Sequence, residues 1–121
     1  TNDVVIRNAD QHHAIRFDVL VDGESFNDVI GDGVVISTAF GSTAYFSSIA
    51  RKSFKKGIGV AFNNTTIGFK PVIKENPKIL FKLKRNKAYL TSDNHSKKII
   101  LNEGDVVEIS KSSEQLFLVK I

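Results

Sequence analysis

The chain has no cysteine among its 121 residues. That excludes a disulfide framework, a thiolate nucleophile and any cysteine-based metal site. It also lacks an apolar run approaching the ~20 residues that span a bilayer, and no signal peptide is visible; these absences fit a cytosolic protein. Nor is there a strong excess of either charge. Lys and Arg number 17 against 13 Asp and Glu, a net charge of +4, which suits an anionic ligand as well as mere solubility and does not demand nucleic acid. The densest cluster, RKSFKK at 51–56, reads as a solvated helix end, with the phosphates of a nucleotide as the alternative partner. No internal repeat or low-complexity tract is present. Nor is there an opening Met: the chain begins at Thr1, from which we expect a domain cut from a longer protein. As it stands, the length is that of one domain able to bury its own core.

What is present is β pattern almost throughout. Val4-Val5-Ile6 reads as a first strand, and 13–21 alternates so that Ile15, Phe17, Val19 and Val21 share one face. Asp22-Gly23 between alternating segments is a hairpin signal, with 26–30 as the returning strand. Ile58 to Phe62 is another strand, stopped by Asn63-Asn64, and Pro71 and Pro77 bracket an irregular connection. From Lys78 onward the pattern predicts a meander over 79–83, 88–92, 98–101, 106–109 and 116–121. Many short strands at this spacing predict an all-β, sandwich-like or barrel domain. His12-His13 beside Asp10 invites a metal, but adjacent histidines on a strand point to opposite faces and no further ligand has suitable spacing, so no metal site is expected.

Chemistry concentrates in 31–45, GDGVVISTAFGSTAY. Val34-Val35-Ile36 is β-branched and bounded by hydroxyls, a strand buried on both faces. Asp32 sits before it between two glycines. After it Gly41-Ser42-Thr43 leads into a short helix over 44–50, which Ser42 or Thr43 would cap. A glycine-hydroxyl turn opening a helix offers N–H donors and a positive dipole end to a phosphate or a polar base edge. The alternative is a plain strand-turn-helix corner.

The run DG, three apolar residues, ST, two further residues and GSTAY resembles the signature of the NAD kinases. Asn2-Asp3 before an apolar strand resembles that family's Asn-Glu/Asp motif, at about the family's interval from GSTAY. The resemblance covers most of the chain, strongly from Asn2 to Tyr45. It implies an all-β, sandwich-like C-terminal domain, 1–121, with one short helix after GSTAY, belonging to a two-domain kinase. Such a kinase moves the terminal phosphoryl of ATP, or of polyphosphate, with Mg2+, onto the adenosine ribose 2′-hydroxyl of NAD to give NADP. By resemblance, Asn2, Asp3, Asp32, Thr43, Ala44 and Tyr45 contact NAD, with Phe40, Ser42, Val60, Phe62, Asn94 and His95 as further candidates and Asp93 beside them. A carboxylate at Asp3 accepts hydrogens of ribose hydroxyls, Ala44 leaves room for a flat base, and Phe40 adds a wall. Asp32 matches an acid that meets the second nucleoside, often across a subunit boundary.

The family's Gly-Gly-Asp-Gly, whose aspartate is the presumed base, does not occur in this sequence. The resemblance therefore places no catalytic residue here and implies that the isolated domain is inactive. Ala39-Phe40 replaces the usual Pro-Thr, so a hydroxyl expected near the adenine is absent, and Ile49-Ala50-Arg51 replaces the Gly-Gly-Pro that usually follows. The resemblance also implies a homo-oligomer, dimer or tetramer, in the cytoplasm, with neither nucleic acid nor membrane as partner. Two alternatives stand beside it. One is a non-catalytic nucleotide-binding or oligomerisation β-domain; the other is a lipid kinase of related fold.

Overall fold

The computed structural model describes every residue except 94 and 114, and for residues 95 and 96 the backbone alone. Four strands open the chain: β1 (Asp3–Asn8), β2 (Ile15–Val21), β3 (Glu24–Gly31) and β4 (Gly33–Thr38). Asp22 and Gly23 between β2 and β3 take positive φ, 47° and 86°, the type I′ geometry whose twist matches the flanking strands. After β4 come a 3-10 turn (Phe40–Thr43) and the six-residue helix α1 (Tyr45–Ala50). Seven strands complete the chain: β5 (Ile58–Asn63), β6 (Val72–Lys74), β7 (Lys78–Arg85), β8 (Ala88–Ser92), β9 (His95–Leu101), β10 (Val106–Ser112) and β11 (Gln115–Lys120).

Two antiparallel sheets result. One runs β6-β5-β4-β1-β8-β9 and the other β11-β10-β7-β2-β3. The last five strands are therefore not a simple meander, because β8 and β9 cross to the first sheet while β7, β10 and β11 stay in the second. The stretch between the two prolines is also more regular than its composition suggests. Val72 pairs with Val60 there, adding the short edge strand β6.

The sheets close on one core that includes Phe17, Phe81, Ile36, Leu83 and Ile109, all buried. Phe17 and Phe81 stack with ring centroids 5.0 Å apart. The whole of β4 is buried, as its sequence predicts. Val34 and Ile36 face the intersheet core, while Val35 faces a second cluster with Phe46 and Ala61, roofed by α1 and Phe54. Helix, six-stranded sheet and five-stranded sheet thus form three layers with β4 in the middle.

Two local expectations are corrected. Neither Ser42 nor Thr43 caps α1: Ala44 holds the N-cap position, with φ −95° and ψ −123° and no side-chain hydrogen bond. The 3-10 turn has taken the hydroxyl of Ser42, which donates to the Ala39 carbonyl (2.8 Å), so the helix start is not built as a phosphate seat. His13, expected on a strand, lies in the loop before β2. Its Nδ1 is 2.8 Å from the Asp10 carboxylate, and Asn8 Nδ2 donates to the carbonyls of Asp10 and His13 (3.2 Å each). The cationic run 51–56 is mostly exposed, with Lys56 Nζ 2.5 Å from Glu75.

Candidate functional site

Strand pairing makes the site. Because β1 and β4 are antiparallel, Asp3 lies opposite Ser37, and the two signature motifs meet at one end of the sheet. There the Thr38 N–H donates to the Asn2 carbonyl (3.0 Å), and the Thr38 hydroxyl donates to Asn2 Oδ1 (3.0 Å). The Gly41 N–H donates to that same hydroxyl (3.2 Å). A Cβ on Gly41 would stand 2.7 Å from the Asn2 carbonyl oxygen, so glycine lets the turn close down on the strand. From the other side Asp93 Oδ1 accepts from the N–H groups of Asn2 (2.9 Å) and Asp3 (3.0 Å) and from the Thr1 hydroxyl. Asn2 and Asp3 are thus held from two directions.

Above them is a cavity of about 550 Å³ lined by Asn2, Asp3, Phe40, Thr43, Ala44 and Asp93, among others. Phe40 is 83% exposed, an unusual position for so large an apolar ring. It stands at the cavity as a free wall. Thr43 and Ala44 are also exposed.

Asp3 carries the site's electrostatics. It is half-buried, and burial pushes its carboxyl above the usual 3.8. The nearby Ser37 hydroxyl, itself donating to the Thr38 carbonyl (2.8 Å), pulls it back down, while the charge of Asp93 raises it again. Asp3 Oδ1 is buried with no hydrogen-bond partner. A carboxylate oxygen left this way favours a ligand that brings a donor to it.

Not every candidate joins the cavity. Ser42 is fully buried and bonds inward, accepting from the Phe54 N–H (3.1 Å) as well as donating to Ala39, so its role is to lock the turn. Tyr45 packs against the Phe46 cluster, and its hydroxyl accepts from Asn63 Nδ2 (3.4 Å). Val60 and Phe62 face the intersheet core, Val60 with no exposed surface, and neither lines this cavity. Asp32 sits at the far end of β4, its carboxylate accepting from Asn8 Nδ2 (3.3 Å) and Asn64 Nδ2 (3.2 Å). Asn94 lies outside the described residues, and of His95 only the backbone is described, paired with Ser92.

Thr38 is the site residue that sequence reasoning missed. A threonine ending a buried strand carries no signal until β1 is known to lie beside it. Among the described residues no three His, Asp or Glu side chains gather to hold a metal ion, and no helix is long and apolar enough to cross a membrane.

A family model for the ATP-NAD kinase C-terminal domain matches residues 1–121. The chain is 30% identical over 124 residues to the NAD kinase of Alcanivorax borkumensis, covering 98% of this chain and 41% of that one. It is 29% identical over 124 residues to the bifunctional NADP phosphatase/NAD kinase of Methanococcus maripaludis, covering 98% of this chain and 22% of the relative. The chain thus spans less than half the length of either. In fold it resembles an NAD kinase from Archaeoglobus fulgidus solved in complex with ATP (TM-score 0.73, 19% identity, 96% of this chain and 47% of that one). It also resembles yeast NADH kinase complexed with NADH (TM-score 0.77, 21% identity, 98% and 34%). Matched by that family model from its first residue to its last, the chain belongs to the ATP-NAD kinase C-terminal domain family.

Proposed function

We propose that the chain is the dinucleotide-binding part of an NAD kinase, which transfers a phosphoryl group from ATP or polyphosphate to the adenosine ribose 2′-hydroxyl of NAD. One observation carries this reading: Asp3, with a buried and unpartnered carboxylate oxygen, lies in the wall of the cavity shared by Thr43, Ala44 and Phe40. Ribose hydroxyls bring the donors that this oxygen lacks. Phe40 and Ala44 offer a flat base an apolar ring and an open space, and Tyr45 supports the loop from behind. Phosphoryl transfer rests on positioning and charge stabilisation, and this chain supplies the positioning of the acceptor. By the family resemblance, the base is the aspartate of a Gly-Gly-Asp-Gly motif, which does not occur in this sequence, and the donor's Mg2+ goes with that part of the kinase.

The test uses the longer protein that contains this chain. It should form NADP from NAD, whereas residues 1–121 alone should not. Asp3→Asn in the longer protein should weaken NAD binding by about 1–3 kcal/mol, the range for hydrogen bonds to a charged group, in a calorimetric titration. The same change should stabilise the ligand-free domain at neutral pH. Because burial raises the Asp3 carboxyl, the folded chain holds that proton more tightly than the unfolded one. The contribution of Asp3 is fully present below the usual 3.8 and is lost as pH rises through its raised native value. The advantage of the asparagine variant in urea denaturation should therefore shrink on acidification. Unchanged NAD affinity would return Asn2-Asp3 to a turn-fixing role, and NAD binding without NADP formation would favour a non-catalytic nucleotide-binding domain.

Asp32, at the far end of β4 from this cavity, fits the family expectation of an acid that completes a neighbouring subunit's site. We accordingly infer a dimer or tetramer with Asp32 near the subunit boundary, and, from the family resemblance, a cytoplasmic protein. Light scattering across a concentration series checks the assembly, and a monomer throughout would overturn it.

A further inference from the structure

The second concentration of chemistry lies at the opposite end of β1, roughly 17 Å from Asp3 at ~3.3 Å per residue. Two adjoining hollows of about 440 and 370 Å³ share His13 and Asn86 in their linings. Arg16, Arg85 and His12 line one, and Lys87 and Tyr89 line the other. The hollows are framed by the loop between β1 and β2 and by the turn between β7 and β8. Asn86 joins the two, donating from Nδ2 to the Ala14 carbonyl (2.8 Å) with its own φ at +68°.

The arrangement of the arginines is unusual. The register of β2 and β7 places Arg16 directly opposite Arg85, and shifts immediately afterwards, so that Phe17 pairs with Leu83. Bulged strands re-aim side chains in this way. Like charges directly opposite on a sheet repel, and neighbouring carboxylates are already engaged. Lys84 holds Asp28 at 2.7 Å and Asp18 at 3.8 Å, His13 holds Asp10, and Glu103 accepts from the Asn86 N–H (2.8 Å). Arg16 acts on Asp28 only through space. Its Nε is buried without a hydrogen-bond partner, although a guanidinium presents five donors in a fixed fork. Lys87 adds charge, and Lys98, 4.7 Å from the Tyr89 ring centroid, stands beside the second hollow.

We propose that this trough binds a small phosphate-bearing anion, gripped by Arg16 and Arg85, with Lys87 and the two histidines around it. An anion between the facing arginines would neutralise their repulsion and give Arg16 Nε its acceptor. Guanidinium forks match phosphate oxygens in pairs, which a lysine cannot do. The site is separate from the dinucleotide cavity and stands whether or not that cavity binds NAD.

The probes are inorganic phosphate and pyrophosphate, titrated into the full chain at constant ionic strength. Saturable binding is expected, with the Arg16 Nε–H resonance shifting during the titration. Arg16→Gln/Arg85→Gln should lower pyrophosphate affinity at least tenfold. Arg16→Lys/Arg85→Lys keeps the charge without the fork, should lose affinity severalfold, and serves should the glutamine variant fail to fold. Lys55→Gln, at the far end of the molecule's β4, should bind as the original does. Absence of binding by both probes, a stationary Arg16 Nε–H, or undiminished affinity in the arginine variants would overturn the proposal.

Discussion

Gly33→Ala is expected to be among the most destabilising single substitutions in the chain. Gly33 has φ +147°, and a Cβ there would stand 1.8 Å from the Ile6 carbonyl oxygen and 2.8 Å from Arg7 Cα. Both atoms are backbone of β1, so no side chain can swing aside. β1 would have to leave β4, yet Gly33 is paired with Arg7 on one side and Asn63 on the other. The cost should exceed about 4 kcal/mol, the upper tail for single substitutions, against total stabilities of about 5–15 kcal/mol for domains of this kind. Circular dichroism and urea denaturation measure it. Gly68→Ala is the control, because nothing lies within 4 Å of its added Cβ, and it should be close to neutral. A soluble Gly33→Ala protein with the original midpoint would show that the two strands can separate cheaply.

Phe46→Ala should cost about 3–5 kcal/mol, the range for removing a buried aromatic ring. The side chain is fully buried, packs edge to face on Phe54 with centroids 5.1 Å apart, and fills the space between α1 and the Val35–Ala61 surface of the sheet. Its loss would also reach the ligand. Thr43 and Ala44 immediately precede the helix that this ring anchors, so on the proposed reading NAD binding should weaken along with stability. Phe46→Leu retains more of the volume and should lose less of both. Urea midpoints and titrations of the three proteins separate these effects, and an alanine variant losing less than about 1 kcal/mol would mean that the helix is held by something other than this cluster.

How much of this was legible in the residues varies with the range of the forces involved. Alternation gave the inward face of β2, because a two-residue period is local. The double burial of Val34 to Ile36 was likewise visible in their β-branched run. Ser42 was misread because its neighbours, Ala39 and Phe54, become partners only once the 3-10 turn forms. β6 escaped notice since its three residues owe their conformation to β5 rather than to their own pattern. The same holds for the division of β7 to β11 between two sheets: each strand is marked in sequence, but which sheet it joins depends on distant partners. At the site, the two motifs were recognisable separately, while Thr38 as their clasp required the pairing of β1 with β4.

The way Asn2 and Asp3 are held also sets when the cavity can form. The hairpin of β2 and β3 closes over two residues, and that of β10 and β11 over a short turn. The floor of the cavity waits for Asp93, which is 90 residues after Asp3, and Thr1 is fastened to Gln115, 114 residues away. Long loops close late and slowly in folding. On a ribosome, the motifs at Asn2 and Gly41 would be synthesised early yet stay unjoined to Asp93 until almost four-fifths of this segment had emerged. If the cavity takes a dinucleotide as proposed, binding is acquired at the end of folding, and a dinucleotide added to refolding protein would select completed molecules rather than guide the chain towards them.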